Sequence, residues 1–138
     1  MTGPDFLDTN VLVYAYDVSN PEKQRAAREL LRSGVTGRFV ISTQVLAEFA
    51  AALLHKISPP VSADAVMEGL DGLASLRLII PDGDLVRRAV EARVSYGLHF
   101  YDGMIVAAAE RAGCERIWSE DLNAGQKYFG VTVANPFN

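Results

Sequence analysis

A single cysteine, Cys114, in 138 residues excludes an internal disulfide framework and a multi-thiolate metal site. Within Ala112-Gly113-Cys114-Glu115 it reads as a small buried filler rather than a nucleophile. Long apolar runs are missing too. The longest, Phe49–Leu54 and Met104–Ala109, are far too short to span a bilayer, and Met1 to Asp8 lacks the basic and apolar stretches of a signal peptide. No membrane association is expected, and a cytoplasmic protein is. There is no surplus of positive charge. The net charge is −4, shared evenly between the two halves, so no charged tail or arm exists. Because affinity for phosphates comes mainly from Lys and Arg, a nucleic-acid partner would have to be met by metal ions or by a local basic patch. Repeats, low-complexity stretches and linkers are also absent. A hydrophobic fraction of 49% and a charged fraction of 22% are ordinary for a folded globule. A chain this long buries roughly two-thirds of its unfolded surface without staples, and one domain over 1–138 is expected.

What is present is an alternation of short β-like runs and helical segments. Phe6-Leu7 ends in the polar Asp8-Thr9-Asn10, followed by a short helix, Val11–Tyr16. Ser19-Asn20-Pro21-Glu22 has the form of a capping box with proline in the first turn, and its helix should run to about Ser33 and stop at Gly34. Arg25, Arg28, Glu29 and Arg32 form its solvated face. Phe39-Val40-Ile41 is a second strand, after which Ser42 or Thr43 caps a helix reaching about Lys56. Ser58-Pro59-Pro60 is a break. Ser62 caps a helix fading near Ser75, and Leu76–Ile80 is a third β-like run. A helix led by Asp82 and Asp84 ends at Gly97, and Phe100–Ala112 forms another, closed by Gly113. Arg116-Ile117-Trp118 and Val131-Thr132-Val133 are strands four and five. This alternation implies an α/β sandwich of three layers, with a mostly parallel sheet of about five strands covered by helices on both faces.

In an open parallel sheet, ligands bind beyond the carboxyl ends of the strands, where the strand order reverses. Four acids belong at that edge. Asp8 terminates strand one, Asp121 follows strand four, Glu48 lies in the second turn of the helix after strand two, and Asp102 leads the helix after Gly97. Asp8, Asp102 and Asp121 also suit turns or helix caps. Glu48 sits in Val45–Leu54, a helix apolar nearly all round and therefore expected to be buried, where a carboxylate must be paired, protonated or metal-bound. No Lys or Arg lies within a helical turn of Glu48, Asp8 or Asp102. Carboxylates sharing a crevice raise one another's pKa, a cost that a divalent cation removes. Oxygen ligands without His or Cys favour Mg²⁺ or Mn²⁺ over Zn²⁺.

Four stretches then carry a family resemblance: Phe6-Leu7-Asp8-Thr9-Asn10-Val11-Leu12, Ile41–Phe49, Leu98–Ala109 and Ile117–Gln126. In this order, the chain resembles the PIN-domain nucleases, and more closely the VapC-type toxins of toxin–antitoxin pairs. The resemblance implies a PIN-like fold and a site of Asp8, Glu48, Asp102 and Asp121 around Mg²⁺ or Mn²⁺. It also implies hydrolysis of RNA phosphodiesters to 5′-phosphate and 3′-hydroxyl ends, an antitoxin partner and a homodimer. One departure is Gly103, which follows the third acid where the family pattern usually has alanine.

Thr9, Asn10 and Ser119 suit hydrogen bonds that orient the metal ligands. Lys56, Arg87, Arg88 and Lys127 are the candidate grips on RNA. His55 and His99 read as helix-end residues rather than acid–base catalysts. Tyr14 and Tyr16 could help form a groove for an antitoxin helix. A phosphoacceptor receiver domain fits poorly, because strand one offers a single acid and no Lys follows strand five. The alternative function is a PIN scaffold with an idle acid cluster that binds a protein or RNA.

Overall fold

A computed structural model describes residues 3–33 and 38–138; the predicted helix stop at Gly34 lies outside them. The first half contains β1 (Asp5–Leu7), α1 (Thr9–Tyr14), α2 (Pro21–Ser33), β2 (Phe39–Ser42), α3 (Thr43–His55), α4 (Ala63–Leu73) and β3 (Arg77–Ile79). Then come α5 (Gly83–Tyr96), α6 (Phe100–Arg111), β4 (Arg116–Trp118), β5 (Lys127–Tyr128) and β6 (Val131–Ala134). The sheet has six strands in the order β3-β2-β1-β4-β6-β5. All neighbours are parallel except β5, which runs antiparallel to β6. Right-handed crossovers put α1 to α4 on one face and α5 with α6 on the other. The central strands are buried on both sides, with Phe6, Leu7, Val40, Ile41 and Ile117 at most 1% exposed. That is why they read as continuous apolar runs rather than alternating ones.

Local chemistry sets the element ends. The Ser42, Ser62 and Asp82 side chains cap α3, α4 and α5 by accepting from Val45, Ala65 and Leu85 amides. Gly97 ends α5 in the left-handed region (φ 71°), where a Cβ would be strained. The first helix differs from the expected Val11–Tyr16: it starts at Thr9 because Asp8 itself is the cap. At α2 the cap is Asn20, whose Oδ1 accepts from the Lys23 amide, while Ser19 turns back onto Asp17. His99, not Asp102, caps α6, its Nδ1 accepting from Tyr101 N.

The sixth strand is absent from the sequence reading. β5 joins β6 through Phe129-Gly130, both at positive φ (49° and 82°), as a two-residue hairpin requires. A phenylalanine in that conformation is costly on its own. Here, the Tyr96 hydroxyl accepts from Phe129 N at 2.9 Å, and the Arg88 guanidinium lies 3.5 Å from the centre of the Phe129 ring. Tertiary contacts therefore impose a turn that the dipeptide does not announce.

Gly103 has an equally local reason. A Cβ there would stand 2.6 Å from the Ala89 carbonyl oxygen, so glycine lets α6 close against α5 at the level of its first turn.

Candidate active site

The chain leaves β1 for β2 on one side, and β4 lies on the other. The β1/β4 boundary is thus the switch point, and both strands deliver an acid to it. Asp8 follows β1 directly, and Ser119-Glu120-Asp121 follows β4. Glu48, on α3, and Asp102, in the first turn of α6, approach from the two helical layers. All four acids line one cleft of about 440 Å³, together with Thr9, Asn10, Gln44 and Lys56.

Asp8 is the most confined member, with 5% exposure. Its Oδ1 accepts from Thr9 N at 2.8 Å and its Oδ2 from Ser119 Oγ at 2.7 Å. Ser119, fully buried, also accepts from the Asp121 and Leu122 amides, so one hydroxyl ties the end of β1 to the loop after β4. Burial pushes the Asp8 carboxyl up to about 6. The Ser119 and Thr9 bonds counter this in part, and the charges of Asp121 and Asp102 reinforce it. Asn10 bridges the same gap: Nδ2 donates to Asp121 Oδ2 at 3.0 Å, and Oδ1 accepts from Glu120 N at 3.2 Å. The three hydroxyl and amide residues singled out in the sequence therefore all touch the acids.

Glu48 corrects the expectation of burial. Its helix buries Val45, Phe49, Ala52 and Leu53, while Ala47, Glu48 and Ala51 are exposed. Alanines on the open side had made the helix look apolar all round. Glu48 Oε1 accepts from Thr9 Oγ1 at 2.9 Å. Asp102 is half-buried, and its carboxyl is raised by desolvation and by the charges of Asp121 and Glu48, with His99 acting against them. His55 and His99 are both exposed at helix ends, as expected.

The basic residues divide. Among the described residues lining the cleft, Lys56 is the one cation. Arg88 grips Glu110 through Nε and Nη2 (2.8 Å each) and meets Glu91 at 2.7 Å, so it is a tie between α5 and α6. Arg87 lies with Val90 and Val94 on the outer side of α5, and Lys127 is exposed on the edge strand β5. None of these three lines the cleft.

Tyr14, expected with Tyr16 in a groove for an antitoxin helix, lines this cleft instead, apart from Tyr16, because its hydroxyl donates to Glu120 at 2.8 Å. Glu120, which also forms an ion pair with Lys23, and Gln44 are cleft residues that the sequence did not single out. Burial works against ionisation of Glu120, but these bonds and the Lys23 charge hold its carboxyl below the usual range. Nothing local pairs Lys23 with a residue 97 positions away. Gln44 had a signal, since it stands one turn before Glu48 on the same helix face.

Among the described residues, no three acidic, histidine or cysteine side chains stand together as a ready metal-holding group. The donor set nonetheless fits a hard divalent cation. Asp8 is buried among neutral partners, and its acidic neighbours repel it, so the site is short of positive charge. Oxygen donors of this kind suit Mg²⁺ or Mn²⁺. Among the described residues, no helix is long and apolar enough to cross a membrane.

Residues 6–129 match the PIN domain family model, and the chain belongs to that nuclease family. No curated protein matches the sequence. Among solved structures, the fold is similar to a toxin–antitoxin complex from Klebsiella pneumoniae (TM-score 0.73, 20% identity, 96% of this chain and 97% of that one). It is similar to Mycobacterium tuberculosis VapC20, a sarcin–ricin loop cleaving toxin (TM-score 0.70, 18% identity, 85% and 89%). It is also similar to FitAcB from Neisseria gonorrhoeae (TM-score 0.68, 19% identity, 96% and 98%).

Proposed function

We propose that this PIN protein is a Mg²⁺- or Mn²⁺-dependent ribonuclease of the VapC type, acting as the toxin of a toxin–antitoxin pair. The observation that carries this reading is Asp8, a buried carboxylate without a cationic partner among the described residues, at the sheet's switch point and in one cleft with Asp121, Asp102 and Glu48. Asp8, Asp102 and Asp121 would hold the ion, with Glu48 joining directly or through water. When bound, it would supply Lewis acidity toward the phosphate and a lowered pKa for water.

The protein's own groups prepare the site. Ser119 and the Thr9 amide aim both Asp8 oxygens, Asn10 holds Asp121 across the cleft, and the Thr9 hydroxyl holds Glu48. Lys56 offers the positive charge on the cleft wall that would meet an RNA phosphate, and hydrolysis would leave 5′-phosphate and 3′-hydroxyl ends. An antitoxin helix would rest in the groove lined by Leu12, Tyr16, Leu31, Phe49, Gly69 and Leu73, on the other side of α1. The solved toxin–antitoxin complexes with this fold support such a partner.

The test is cleavage of a tRNA and rRNA mixture by wild type and Asp102→Asn, each with Mg²⁺, with Mn²⁺ and with EDTA. Discrete fragments from wild type with metal alone are the expected result. That no three of the acids form a ready metal-holding group among the described residues favours a second reading, an idle scaffold. Tight RNA or partner binding without cleavage under either metal would establish that one.

A further inference from the structure

Two of the four acids reach the cleft from opposite faces of the sheet, Glu48 on α3 and Asp102 on α6, and one side chain spans the gap. From the first turn of α3, Gln44 Nε2 donates to the Tyr101 carbonyl, in the first turn of α6, at 3.0 Å. The same nitrogen approaches Glu48 Oε2 at 3.5 Å. Thr9 Oγ1 already holds Glu48 Oε1, so both carboxylate oxygens are tethered. Gln44 Oε1, by contrast, is buried and has no hydrogen-bond partner among the described residues. A buried amide oxygen left unpaired is unfavourable, and replacing such a group by an apolar one of similar shape can be neutral or stabilising. Stability alone therefore gives little reason for glutamine here; the reason lies with the groups its nitrogen holds.

We propose that Gln44 is a positioning residue, tethering Glu48 to the helix that carries Asp102 and so keeping two like-charged ligands turned toward one cleft. Glu48 and Asp102 repel, and an exposed glutamate has rotamers pointing away from the cleft. Each N–H that Gln44 provides opposes that escape, and its bond to Tyr101 refers Glu48 to the residue next to Asp102 rather than to α3 alone. Groups that orient metal ligands in this way commonly contribute tenfold or more to metal affinity.

The inference rests on the metal-dependent reading above, so the experiment measures binding of Mn²⁺ itself by calorimetry, without RNA, on the full chain. Wild type, Gln44→Met and Asp102→Asn are compared, alongside thermal unfolding of each in EDTA. Gln44→Leu replaces Gln44→Met should the latter fail to fold. The expected result is Mn²⁺ binding about 10-fold weaker in Gln44→Met, with an unfolding temperature equal to or above that of wild type. A merely structural residue would instead lower the unfolding temperature along with affinity, and that outcome overturns the proposal. Unchanged affinity in Gln44→Met, with binding lost in Asp102→Asn, overturns the role of Gln44 while leaving the metal site standing. If wild type takes up no Mn²⁺, the metal-dependent reading falls and this inference falls with it.

Discussion

Asp8 should make the metal-free protein less stable as the pH rises. Its carboxyl is moved from an ordinary 3.8 to about 6 in the folded chain, chiefly by burial. Because the folded pKa lies above the unfolded one, the folded state holds the proton more tightly through this window. Stability associated with Asp8 is therefore fully present below about pH 4, declines as the pH rises toward 6, and is lost above it. At about 1.4 kcal/mol per pKa unit, complete ionisation costs about 3 kcal/mol, and roughly half of that falls between pH 5 and pH 8. For a domain of this size, the half corresponds to roughly 5 °C in unfolding temperature. Asp8→Asn removes the titrating group. Its new amide can accept from Thr9 N, but its NH₂ then faces Ser119 Oγ, which already accepts two amides. That mismatch costs about 1–2 kcal/mol, close to what wild type has already lost at pH 5, so the variant should be about as stable as wild type at pH 5 and modestly more stable at pH 8. The assay is thermal unfolding of both proteins in EDTA at the two pH values. Equal pH dependence in both would refute the assignment of a burial-raised carboxyl to Asp8. A variant destabilised at both values by the same amount would do so as well.

Other perturbations test separate links. Gly103→Ala places a methyl 2.6 Å from the Ala89 carbonyl oxygen and should cost about 1–3 kcal/mol by urea unfolding; an unchanged midpoint would mean that α5 and α6 can part freely. Cys114 is buried, and burial pushes its thiol up to about 12. It should resist a thiol reagent at pH 8 until the chain is unfolded, and rapid labelling of the folded protein would contradict that placement. Lys56→Glu should weaken RNA binding and lower the slope of log affinity against log salt by about 1. Arg87→Glu, away from the cleft, should leave that slope almost unchanged, and equal effects would remove the cleft as the RNA path.

Much of this protein is legible along the chain because the responsible physics is local. Hydrophobic runs bounded by polar breaks mark the five longer strands, and Ser42, Ser62 and Asp82 cap their helices through bonds spanning three residues. Acids placed just past strand ends predict a crevice, since a parallel sheet directs its carboxyl ends to one edge. What only the tertiary structure decided depends on groups far apart in sequence. Phe129 takes a positive φ because Tyr96 and Arg88 hold it, Lys23 is committed to Glu120, and Arg88 is spent on Glu110 rather than left for RNA. Composition does not distinguish a helix buried all round from one whose alanines face solvent, so the sequence predicts burial for Glu48 where the fold exposes it. Gly103, a departure from the family pattern in sequence, is required by the approach of α6 to the Ala89 carbonyl, a distance set by two helices meeting in space.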